Sequence, residues 1–123
     1  MRLDPNSEVA VDRFVFFGIQ ERSAEVLNES AAVASSYIAT HPEDGLVRVD
    51  RALCFEILKR HGAAATDFAI AASRLHSAKY YTFAGWARYR AGDRREARML
   101  WNSALSIQRA YRPALRALQK TSV

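Results

Sequence analysis

The sequence predicts an all-α fold of antiparallel helical hairpins. Three observations carry this. Apolar residues recur at spacings of three and four through most of the chain, and no alternating strand pattern interrupts them. Only five Gly and three Pro occur, while Ala and Arg, which cost little in a helix, are abundant. The helical stretches are separated by turns of two to six residues, which favour antiparallel neighbours. At 123 residues, half of them apolar, the chain has the length of one domain with its own core, 1–123.

The elements follow in order. Asp4-Pro5-Asn6-Ser7 is a turn and helix start, with Asn6 or Ser7 as N-cap and Glu8 in the first turn. Val9, Val11, Phe14, Val15, Phe17 and Ile19 continue that helix, and Gly18 weakens its end. Phe14, Phe16 and Phe17 give more aromatic surface than one helix face needs. Either a neighbouring element covers them or they form a contact surface, for instance in a homodimer. Ser23 to Thr40 is the second helix of this N-terminal pair (7–40), with Val26, Leu27, Ala31, Val33, Ala34, Tyr37 and Ile38 on one side. Pro42 and the turn pair Asp44-Gly45 end it.

Val47 to His61 is the third helix, with Lys59, Arg60 and His61 suiting its C-terminal dipole and Gly62 as the expected left-handed residue beyond it. Ala63 to His76 is a fourth, Ala-rich helix, with Thr66 or Asp67 near its start. Together they make a hairpin over 46–76. Ser77 to Ala91 is the fifth helix and Arg94 to Ala110 the sixth, joined at Gly92-Asp93. There Gly92 supplies a left-handed residue and Asp93 caps the next helix. Pro113 fits the first turn of a last helix over 113–120.

The fifth and sixth helices carry the most specific pattern. Small residues recur at Ala84, Gly85 and Ala87, where a partner helix must come close, with Tyr81 one turn before and Tyr89 after. Ala97, Trp101, Ala104 and Leu105 answer them from the next helix. This alternation resembles the tetratricopeptide repeat over 78–111. Two places depart from the family pattern. Arg88 stands where a Tyr is common, and the closing Pro comes late, at Pro113. With Gly62 as its turn, the 46–76 hairpin carries Cys54 and Phe55 where the family has small residues, and is a degenerate repeat.

The resemblance implies a right-handed superhelix of about six to seven helices. It also implies a non-enzymatic interaction module whose inner helices line a groove for an extended or helical peptide segment. The groove candidates on the fifth helix are Lys79, Thr82, Phe83, Trp86 and Arg90. Trp86 and Arg90, one turn apart, pair an aromatic with a cation. The alternative for Trp86 is packing against a neighbouring repeat. Trp101, opposite Ala84 and Gly85, reads as core.

Charge points to the partner. Residues 1–73 hold 7 Lys and Arg against 11 Asp and Glu, a net of −4; residues 74–123 hold 11 against 2, a net of +9. The basic half suits an anionic partner, whether acidic protein, lipid headgroup or nucleic acid, or is a set of solvated Arg-rich faces. Arg88, Arg90, Arg94, Arg95, Arg98, Arg109, Arg112 and Arg116 lack a reading helix or stacking platform, which disfavours nucleic acid.

Other function classes find little footing. Cys54, the one cysteine, sits in apolar sequence and reads as a buried, inert thiol in a reduced, cytoplasmic setting. His41, His61 and His76 lack a second ligand at helical spacing, so no metal or cofactor is expected. Glu21, Glu25 and Glu29 read as a solvated stripe. No nucleophile elbow, phosphate loop or membrane span is present, and no catalytic residue is assigned. The two ends, Arg2-Leu3-Asp4-Pro5-Asn6-Ser7 and the Gly92-Asp93-Arg94-Arg95-Glu96-Ala97-Arg98 hairpin, are also similar to the helical tail of some bacterial family-2 glycosyltransferases. That likeness implies an accessory role, since no Asp-x-Asp motif accompanies it.

Overall fold

A computed structural model describes residues 23–122. Within them the chain forms six helices: α1 (Ala24–Thr40), α2 (Gly45–Ile57), α3 (His61–Leu75), α4 (Ala78–Arg90), α5 (Arg94–Ile107) and α6 (Arg112–Lys120). The expected first helix and the Phe14, Phe16 and Phe17 cluster lie outside the described residues.

Each helix packs chiefly on its chain neighbours, and α6 also touches α4. The core is accordingly a row of three clusters. Leu27, Ala31, Ala34, Tyr37 and Ile38 of α1 meet Val47 and Cys54 of α2. Ala52, Ala64, Phe68, Ala71, Ala84 and Leu100 join α2 through α5. Ala78, Ala97, Trp101, Ala104, Ala114 and Ala117 join α4, α5 and α6. A stack of this kind buries its faces between successive units.

The caps explain the boundaries. Asp44 Oδ1 accepts from Leu46 N at 3.1 Å and Val47 N at 3.3 Å, so α2 begins at Gly45, two residues before the predicted start. Ser77 accepts from Tyr80 N and Asp93 from Glu96 N, which opens α4 and α5 as predicted. The helix expected to reach Ala110 stops at Ile107, with Gln108 extended.

The α2–α3 turn corrects the sequence reading. Gly62 lies inside α3 and is not the turn residue. Lys59 takes the left-handed conformation instead, at φ 61°, while Lys59 N donates to the Glu56 carbonyl and Arg60 N to that of Phe55. Gly92, at φ 91°, does the same after α4: Gly92 N donates to Tyr89 O and Asp93 N to Arg88 O. Both turns are Schellman motifs, which satisfy the last carbonyls of a helix.

Lys59 and Gly92 are 33 residues apart. This period places Ala52, Ala64, Phe68 and Ala71 at the positions of Gly85, Ala97, Trp101 and Ala104, and all eight are buried. The α2–α3 hairpin thus carries the same small-and-large arrangement, displaced by three residues from where Gly62 pointed.

The two hairpins fill that plan differently. In the second, Trp101 is fully buried and its Nε1–H donates to the Thr82 carbonyl at 3.1 Å. A Cβ on Gly85 would overlap the indole, so this approach requires glycine. In the first, Arg51 forks onto both oxygens of Asp67 at 2.7 Å and donates to Ser35 Oγ at 3.0 Å, tying α1, α2 and α3 together. Arg48 adds a 3.5 Å contact to Asp67, which is only 2% exposed. One period on, the places of Arg51 and Asp67 are taken by Ala84 and Leu100.

Candidate functional site

Helical geometry puts Lys79, Phe83, Trp86 and Arg90 on one face of α4, at successive steps of four, three and four residues. Lys79, Phe83 and Arg90 are exposed and Trp86 is half-buried. The Lys79 ammonium sits 5.6 Å from the Tyr80 ring centre and 5.8 Å from that of Phe83. Thr82 does not share this face. It is 3% exposed, and its hydroxyl donates to the Ala78 carbonyl at 2.8 Å beneath the Trp101 contact. One residue before Phe83, it is rotated about 100° round the helix and into the core.

The α4 face forms one wall of a pocket of about 280 Å³ lined by Leu53 and Glu56 of α2, Phe68 of α3, and Phe83, Trp86 and Arg90 of α4. Phe68 and Phe83 meet edge-to-face at 5.7 Å, which fixes the apolar floor. Trp86 stands edge-on to Trp101 at 4.8 Å and to Tyr89 at 5.6 Å. Trp86 thus packs one edge on Trp101 of its own hairpin and also lines the pocket.

Glu56 was not anticipated. It sets the electrostatics of the rim. Its Oε2 receives Arg90 Nη1 at 2.6 Å, and its Oε1 lies 2.8 Å from His61 Nδ1. The signal that could have found it is the 33-residue period, which brings this part of α2 beside α4. The other pocket residues from α2 and α3, Leu53 and Phe68, were missed for the same reason.

Several arginines of the basic half are engaged within the fold. Arg88 Nη2 donates to Thr66 Oγ1 at 3.1 Å. Arg98 Nη1 donates to the Leu118 carbonyl and to Thr121 Oγ1, each at 3.2 Å, at the negative end of the α6 dipole. Arg95, Arg109, Arg112 and Arg116 are exposed.

Cys54 is fully buried, and burial first, then the nearby Asp50 charge, pushes its thiol pKa up to about 11. Such a thiol is protonated and inert at neutral pH. Among the described residues, no group of three or more His, Cys, Asp or Glu is placed to hold a metal ion. No described helix is long and apolar enough to cross a membrane.

No family model matches the chain, and no curated protein matches it in sequence. Solved structures do match. The first TPR of Spaghetti (RPAP3), bound to the HSP90 peptide SRMEEVD, is 19% identical with a TM-score of 0.76, over 99% of this chain and 95% of that one. The first TPR domain of human RPAP3 is 18% identical with a TM-score of 0.76, over 97% and 92%. The second TPR domain of human RPAP3, in complex with the HSP70 peptide SGPTIEEVD, is 18% identical with a TM-score of 0.77, over 94% of each chain. None of the three is a glycosyltransferase. At these identities the likeness is one of fold, and it extends along nearly the whole sequence: this chain is a tetratricopeptide-like helical stack.

Proposed function

We propose that this protein is a non-enzymatic interaction module that holds a peptide segment against the α4 face, with an apolar side chain of the partner seated in the Leu53–Phe68–Phe83–Trp86 pocket. The observation that carries the reading is that pocket. Its four apolar walls and about 280 Å³ suit one large side chain and fall below the usual range for a drug-sized ligand or cofactor. Burying such a side chain contributes about 1.5–3 kcal/mol. Lys79, exposed on the same face beside the Phe83 ring, favours an acidic residue near the anchor. Two of the structural neighbours were solved with peptides that also join an apolar residue to acidic ones, SRMEEVD and SGPTIEEVD. The buried free thiol of Cys54 suits a reduced, cytoplasmic setting.

The test is fluorescence anisotropy with labelled peptides, starting from these two sequences and then an acidic–apolar array. Trp86→Ala should weaken the best binder about tenfold or more while the helical circular dichroism stays unchanged, and Arg90→Glu should weaken acidic binders further than neutral ones. A best binder indifferent to both substitutions would remove the pocket as the site.

A further inference from the structure

The pocket between α2, α3 and α4 is not apolar throughout. Leu53, Phe68, Phe83 and Trp86 give it apolar walls, while Glu56 and Arg90 line it with charge. The Glu56 side chain is only 17% exposed. Its Oε2 receives Arg90 Nη1, and its Oε1 lies against His61 Nδ1, one contact to each oxygen. A carboxylate offers about four lone-pair positions, so roughly two remain able to accept.

The repeat plan does not require this carboxylate. The 33-residue period carries Glu56 onto Tyr89, whose ring packs on Trp86 and Trp101, and carries Phe68 onto Trp101 itself. The second hairpin thus has aromatic rings where the first has an acceptor beside an apolar pocket. The Arg90 pairing decides what that acceptor can take. A partner's carboxylate would face Glu56, and a lysine or arginine head would have to displace Arg90. A neutral hydroxyl meets neither obstacle, and the open positions on Glu56 spare it the cost of desolvation without a partner.

We infer that the pocket takes a tyrosine of the partner, its ring between the apolar walls and its hydroxyl donating to Glu56. This rests on the pocket reading above and names the side chain seated there. Tyrosine carries its donor at the far end of a flat apolar ring, so one group lies against Phe68, Phe83 and Trp86 while its tip reaches an acceptor. Phenylalanine offers the same ring without the donor. The hydroxyl alone then sets the preference, and a hydrogen bond to a charged acceptor favours tyrosine by about tenfold. Glu56 is in this sense a specificity-determining residue.

The experiment uses the full chain and labelled nonapeptides of one acidic host sequence, with tyrosine, phenylalanine, leucine, lysine or glutamate at the central position. Anisotropy should rank tyrosine about tenfold above phenylalanine, with lysine and glutamate weakest. Glu56→Met keeps helix propensity and removes the acceptor, and should bring the tyrosine-to-phenylalanine ratio down to about one. Arg90→Met leaves the carboxylate without its guanidinium and should improve the lysine peptide about tenfold. If wild type binds phenylalanine as tightly as tyrosine while Trp86→Ala abolishes both, the tyrosine assignment is overturned and the pocket stands. A ratio unchanged in Glu56→Met, or tighter binding of a phosphotyrosine peptide, would also overturn it. If no peptide binds, or none responds to Trp86→Ala, both readings fall.

Discussion

The α2–α3 and α4–α5 hairpins have one backbone plan and two chemistries. Each turns through a Schellman motif, and each sets a small residue on its first helix against a large one on its second. The second hairpin meets the plan with shape: Gly85 lets Trp101 in, and Gly92 takes the left-handed turn at no steric cost. The first meets it with Ala52 and Phe68, places Lys59 in the left-handed turn, and adds a buried ion pair where its counterpart has Ala84 and Leu100. The repeat signature is thus one solution to a packing requirement that a quite different set of residues also satisfies.

The largest effect should come from the ion pair. Asp67→Ala leaves Arg51 and Arg48 facing a buried void, and chemical denaturation should show a loss of about 3–5 kcal/mol. Copying the second hairpin, Arg51→Ala with Asp67→Leu, should instead recover most of that loss, because only Arg48, which keeps its bond to the Pro42 carbonyl, is left without the carboxylate. If the double variant is as damaged as Asp67→Ala, the two hairpins are not interchangeable and the comparison fails.

Next comes the close approach. Gly85→Ala forces a methyl group into the Trp101 indole and should cost about 1–3 kcal/mol, with a change in tryptophan fluorescence. The matching Ala52→Gly loses a methyl and helix propensity, for about 1 kcal/mol.

The smallest effect lies in the turn. Lys59→Gly relieves the left-handed strain and should raise stability by about 0.5–1 kcal/mol, while Gly92→Lys should lower it by a similar amount. Thermal melts of the pair would show opposite shifts.

These contrasts explain what could be read from the sequence. The second hairpin was legible because Gly92, Asp93, Gly85 and Trp101 each advertise a backbone or packing constraint. The first was not, because Lys59 in a left-handed turn leaves no compositional trace and Gly62 offered a false one three residues away. With the register misplaced, Leu53, Glu56 and Phe68 could not be assigned to the site. The α4 face needed only helical spacing, which recovered Lys79, Phe83, Trp86 and Arg90. The same spacing did not exclude Thr82, whose burial depends on where α5 sits.

The clasp between Arg98 and the end of α6 bears on how the surface is assembled. With nine residues, α6 is too short to persist as a helix by itself in water. It is held by the burial of its Ala114 and Ala117 and by a guanidinium that donates to the Leu118 carbonyl and the Thr121 hydroxyl. Its unwinding would uncover the core around Trp101 and Ala104, whereas the pocket residues all belong to α2, α3 and α4. The clasp is in that sense the latch on the open end of the stack.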